Sequence, residues 1–264
     1  MADVTFTGTN GVLTTGTNWS TGALPSNGDN AIVDAGTADL TGDLTAINLA
    51  SFRLTPGWKG TNFGTAGTPV SIQATTVDLN FSPNCRIAHV GPGASTIATL
   101  RCVNTGAAQL IVSGAGTVTE LQGGPSGSIY VDVTACATVK TSRSRIIATA
   151  SGTAFTTAKV GRQGSLDTKR SITTADVDGF LRLTNTAVSA TAVVNNGGTY
   201  NHQSSGKAGD TILEVKDGGT FTAAGATQGF TIDVLAKWYG ANVQEQGDGI
   251  SIIISSRVPV GMTA

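Results

Sequence analysis

Charge is scarce in this 264-residue chain: Asp, Glu, Lys and Arg fill 12% of positions, and 16 cations against 17 anions leave a formal net charge of −1. That charged share is about half that of an ordinary globular domain. Nucleic-acid affinity comes from many clustered cations releasing counterions, so no nucleic-acid partner is expected. Disorder is excluded as well, because it pairs low hydrophobicity with high net charge, and 39% of this chain is hydrophobic. Long apolar runs are missing. The longest, Ile250 to Ile254, is broken by Ser251 and falls far short of the 18 or so residues of a membrane span, so no membrane contact is expected. The N-terminal Met1-Ala2-Asp3-Val4-Thr5-Phe6-Thr7 lacks the basic and apolar regions of a cleaved export signal.

Cysteine is equally sparse. Cys85, Cys102 and Cys136 are odd in number and widely spaced, which suits neither a disulfide framework nor a zinc site. They read as buried free thiols. His89 and His202 lie far apart in no metal-ligand spacing, and no Walker loop, dinucleotide fingerprint or nucleophile elbow occurs. No cofactor, metal or catalytic residue is therefore expected. The carboxylate pairs Glu120/Asp132 and Asp176/Asp178 are the nearest approach to a glycosidase constellation, and near-neighbour acidic pairs usually mark solvated turns. Aromatic residues, 5% of the chain, are too few for a long glycan groove.

What the chain has is glycine (35 residues), threonine (41 residues) and short β-branched runs such as Ser128–Val133 and Thr211–Val215, punctuated by Gly, Asn and Pro. No helical stripe of ten or more residues is found. Self-similarity is the most informative feature. Val194-Asn-Asn-Gly-Gly-Thr-Tyr-Asn201 matches Val215-Lys-Asp-Gly-Gly-Thr-Phe-Thr222 at an offset of 21 residues. Looser copies start at Val90, Val112, Val133 and Val160, and the interval from Val160 to Val194 is 34. A period near 21 holding short strands and small-residue corners is what one turn of a parallel β-solenoid needs. The expected fold is all-β, a right-handed parallel β-helix with short non-helical terminal caps. An antiparallel β-sandwich with glycine-rich hairpins is the alternative. The expected organisation is an N-terminal cap or docking segment over 1–30, the repeat over 31–235, and a C-terminal capping or oligomerisation segment over 236–264.

The segment Asn18-Trp19-Ser20-Thr21-Gly22-Ala23-Leu24-Pro25-Ser26-Asn27-Gly28-Asp29, running into Asn30–Val33, resembles the opening of tailspike-like β-helical virion proteins of tailed phages. Leu54–Gly60 and Gly64–Val70 look like the next coil of the same group. Together these stretches cover about a fifth of the chain. The resemblance implies a non-enzymatic virion protein. It would be a homotrimeric capsid decoration or cement protein, made in the host cytoplasm, that binds the major capsid protein on the outer capsid surface and stabilises the shell. The alternative it implies is a tail spike or fibre that binds or cleaves host surface glycan. For the partner surface the candidates are three aromatic anchors, Trp19, Trp58 and Trp238. Three cations join them, Arg143, Arg145 and Arg162, drawn from a basic stretch over 140–170 that would face an acidic partner.

Overall fold

A computed structural model of the chain describes residues 1–204, 209–244 and 251–260. Among them the only helix is a three-residue 3-10 turn at Gly16–Asn18, and the other regular elements are strands. The chain divides into two compact units, Met1–Cys136 and Ala137–Ala264. Both are parallel β-solenoids.

The first unit contains β1 (Asp3–Thr5), β2 (Asn30–Val33), β3 (Asp43–Leu54), β4 (Asn62–Phe63), β5 (Val70–Asn80), β6 (Ile87–Gly91), β7 (Thr96–Asn104), β8 (Gln109–Gly123) and most of β9 (Ser128–Thr141). A parallel ladder runs β1-β2-β3-β5-β7-β8. Its inward column is Val4, Ala31, Phe52, Val77, Leu100 and Leu121, each no more than 2% exposed. Parallel pairing sets equivalent residues about 4.8 Å apart and sends alternate side chains to opposite faces, so one apolar residue per coil builds a continuous inner stack. Burying each large aliphatic or aromatic member stabilises the fold by roughly 1.5–3 kcal/mol.

The second unit holds β10 (Arg145–Ala148), β11 (Phe155–Val160), β12 (Ser165–Thr168), β13 (Ile172–Val177), β14 (Phe180–Asn185), β15 (Ser189–Val194), β16 (Thr199–Ser204), β17 (Ile212–Val215), β18 (Thr220–Thr222), β19 (Phe230–Trp238), β20 (Asn242–Val243) and β21 (Ile252–Val260). Val139, Ala158, Ala175, Ala192, Leu213 and Leu235 form its buried column. The repeat read from the sequence is in register here: Val194 pairs with Val215, Thr199 with Thr220 and Tyr200 with Phe221. The 34-residue interval resolves into two coils of 17 stacked through Val177. That coil was missed because its corner, Asp178-Gly179, lacks the Asn-Gly-Gly signature. In the signature itself the two glycines do different jobs. Gly197 and Gly218 take φ of +79° and +72°, while a Cβ on Gly198 would lie 2.1 Å from the Val177 carbonyl of the neighbouring coil.

Among the described residues the pairings between these strands are parallel and the one antiparallel contact is a bridge from Phe6 to Trp19, so the sandwich alternative does not describe this chain. In the first unit strand pairing begins at Asp3 rather than at 31, and in the second it continues past 235 to Val260. The apolar run from Ile250 to Ile254 enters β21, which lies within the 236–264 segment; Ile250 and Gly261 lie outside the described residues.

Candidate functional site

The sequence-derived anchors divide by burial. Trp19 and Trp58 are each 1% exposed, with Nε1 donating to the carbonyls of Leu13 at 2.8 Å and Ala38 at 2.9 Å. Trp19 packs edge-on against Phe6, and Trp58 edge-on against Phe63. Both are core residues, a correction to the expectation that they meet a partner: in a low-charge chain the few large aromatics are recruited to fill coil interiors. Trp238, at the end of β19, is half-buried with Nε1 donating to Glu214 at 2.9 Å, and beside it Tyr239 is 95% exposed.

The cations divide as well. Arg145 donates from Nε and Nη2 to Asp167 at 3.1 and 2.7 Å, and Arg182 meets the other oxygen of Asp167 at 2.7 Å. The charge of Arg145 is thus spent inside the second unit. Arg143 and Arg162 are exposed and occupy consecutive corners, because Thr141 pairs with Val160 and the Gly161 N–H donates to the Thr141 carbonyl at 2.7 Å. Stacking brings together two cations that lie 19 positions apart. Acidic residues of the N-terminal part accept backbone N–H groups within their own unit: Asp29 accepts those of Ala2 and Ser26, which hold its pKa below the usual carboxylate value, and Asp39 accepts those of Thr61 and Asn62 one coil on.

Among the nominated carboxylates, Asp176 accepts the Asn195 amide at 2.6 Å, Asp178 sits in a coil corner and Glu120 is hydrogen-bonded to Gln122. Among the described residues no group of three or more His, Cys, Asp or Glu could hold a metal. All three cysteines are buried, and Cys85 and Cys102 are free thiols. Burial pushes Cys85 up to about 11 and Cys102 up to about 12, so neither is a nucleophile at neutral pH. His89, on β6, has its pKa lowered by partial burial.

Two features were not legible in the sequence. Inside the second unit, Tyr200, His202 and Asp210 form a polar cluster, each 0–1% exposed. The Tyr200 hydroxyl donates to Asp210 Oδ1 at 2.8 Å and lies 3.0 Å from His202 Nδ1, while the Ser189 N–H also donates to Oδ1 at 2.9 Å. With its proton on Asp210, the hydroxyl accepts from Nδ1–H of the imidazole. The ring stacks on Phe230 at 4.1 Å. Burial and the Asp210 charge raise the Tyr200 pKa well above 10.0.

The second feature is a groove on the outer face of the first unit, where two adjoining cavities of about 270 and 250 Å³ share Arg53 and Asp78; the smaller is lined mainly by polar groups, and the larger adds the apolar Leu54 and Val103. Register builds it: one outward column reads Asp3, Asn30, Ser51, Thr76, and the next reads Thr5, Ile32, Arg53, Asp78, Arg101. The second unit ends differently, on β21. This nine-residue strand pairs with β19 along one edge and with no other strand among the described residues. It exposes Ile253 at 58% and Val258 at 44%. No protein family, curated protein or solved structure matches the chain.

Proposed function

We propose that the chain is a non-enzymatic structural protein of a virus particle, a capsid decoration protein that assembles as a homotrimer and binds the major capsid protein on the outer shell. The observation that carries this reading is β21. Among the described residues this nine-residue strand is paired along one edge and exposes isoleucine and valine, a combination that soluble proteins ordinarily cover. Assembly covers it. The viral setting and the trimer come from the resemblance carried by Asn18–Val33.

Two exposed arginines on adjacent corners, Arg143 and Arg162, supply a local positive field that steers the protein towards an acidic partner surface. Binding the assembled shell and not its dissociated subunits stabilises the shell by mass action. The test mixes the purified protein with expanded shells that lack it, followed by imaging and thermal disruption. Docking at regular lattice positions with a raised disruption temperature is expected, and Arg143→Glu with Arg162→Glu should lower occupancy more at low salt than at high salt. Shells that stay bare while the protein binds or cleaves bacterial surface polysaccharide would overturn the reading in favour of a tail spike.

A further inference from the structure

The outer groove of the first unit has an imbalance that its own residues do not settle. Asp78, one coil beyond Arg53, has both oxygens engaged by Arg101, from Nε at 2.6 Å and from Nη2 at 2.9 Å. On the other side of Arg53 the neighbouring rung is Ile32, which is apolar and 8% exposed. The adjacent column is consumed by its own chain of hydrogen bonds: the Ser51 hydroxyl donates to Asn30 Oδ1 at 2.8 Å, and the Asn30 amide donates to Asp3 Oδ1 at 2.7 Å. Arg53 is therefore an exposed guanidinium whose neighbours on the sheet are apolar or already paired, placed where the two cavities meet.

We propose that this groove is a binding site for a hydroxylated monocarboxylate, the chemistry of a sugar acid, with the carboxylate seated on Arg53. The fork of the guanidinium matches a planar carboxylate bidentately. Asp3 and Asp78 line the same floor, so a second negative charge on the ligand would meet like charge, which excludes dianions such as phosphate. Those carboxylates and the amide of Asn80 accept and donate hydrogen bonds to hydroxyl groups. No aromatic residue lines either cavity, so there is no stacking platform and charge carries the binding. The site lies wholly within the first unit and is independent of the assembly reading, which rests on β21.

The experiment titrates the full chain with glucuronate, glucose and inorganic phosphate at low salt, read by amide chemical shifts and by calorimetry. Glucuronate is expected to bind in roughly the millimolar range and to perturb amides around Arg53. Added salt should weaken it, because the site is exposed and screened. Arg53→Gln, a change on the surface that leaves the inner stack intact, should weaken it at least about tenfold, the loss of one charged bidentate contact. Equal affinity for glucose, tighter binding of phosphate, unchanged binding by Arg53→Gln, or no perturbation at about 50 mM glucuronate would each overturn the proposal.

Discussion

The two units solve the same stacking problem and finish it differently. In the first, the outer edge of β1 is closed by the chain itself. The Ser20 N–H donates to the Thr5 carbonyl at 2.8 Å and the Thr7 N–H to the Asn18 carbonyl at 2.7 Å, so residues 18–20 run antiparallel along the edge and drop Trp19 into the core. Further in, Phe52, Trp58, Phe63 and Phe81 meet edge to face. The second unit carries a buried polar cluster in its interior, and its last described strand, β21, is paired along one edge among the described residues and exposes Ile253 and Val258. A parallel coil always leaves one edge over at its end, and a chain either folds back to satisfy that edge or leaves it to an outside partner. Here the N-terminal unit does the first, while in the second unit β21 pairs with β19 and with no other strand among the described residues.

The largest expected effect breaks the closed end. Trp19→Ala removes a fully buried indole, its contact with Phe6 and the bond to the Leu13 carbonyl, and should cost about 3–5 kcal/mol in chemical denaturation. A cost below about 1 kcal/mol would mean that the cap is an ornament on an independently stable coil. Next comes the polar interior of the other unit. Tyr200→Phe withdraws the hydroxyl from Asp210 and His202 and should cost about 1–3 kcal/mol, because it takes the donor from a buried carboxylate and the acceptor from a buried imidazole N–H without changing shape.

Alkaline pH should separate the two interiors. The folded thiols of Cys85 and Cys102 titrate at about 11 and about 12, against an ordinary 9.0, so their contribution is complete below pH 9.0 and is lost as pH rises through those values. Tyr200 has the same sign, with loss beginning above 10.0. Thermal melts from pH 8 to pH 11 should therefore fall, and Cys102→Ala should flatten the first part of the fall. A thiol reagent at pH 8 should modify none of the three cysteines until the chain unfolds, since all are buried.

The smallest effect on stability probes the open end. Ile253→Lys on β21 should shift stability by no more than about 0.5 kcal/mol, as for an exposed site. It should nonetheless abolish self-association or shell docking in sedimentation, since it places a charge on the uncovered strand. Association that survives this change would show that the strand is not the contact.

Much of the fold was legible because solenoid coils repeat. The pair Val194–Asn201 and Val215–Thr222 announced both the period and the corner, and the two stretches are hydrogen-bonded neighbours. Val177 went unread because its corner is shorter. The site was less legible. Trp19 and Trp58 are core residues that the sequence offers equally as surface anchors, since a sparse aromatic looks the same in sequence whether it faces a partner or the core. Arg145 was grouped with Arg143 and Arg162, yet its partner Asp167 lies one coil away and 22 positions along the chain.

By itself, then, the sequence determined an all-β chain of low charge, the absence of helical stripes, the 21-residue coil and the burial of the cysteines, because these follow from composition and from local patterns that each coil repeats. Only the tertiary structure decided which charges are spent and which are free, which aromatics close an end, and where Tyr200, His202 and Asp210 meet. Those outcomes depend on coil-to-coil register, and register places residues roughly 15 to 25 positions apart within about 5 Å of one another. A difference of one or two residues in a corner changes which of them meet, and no local pattern records that difference.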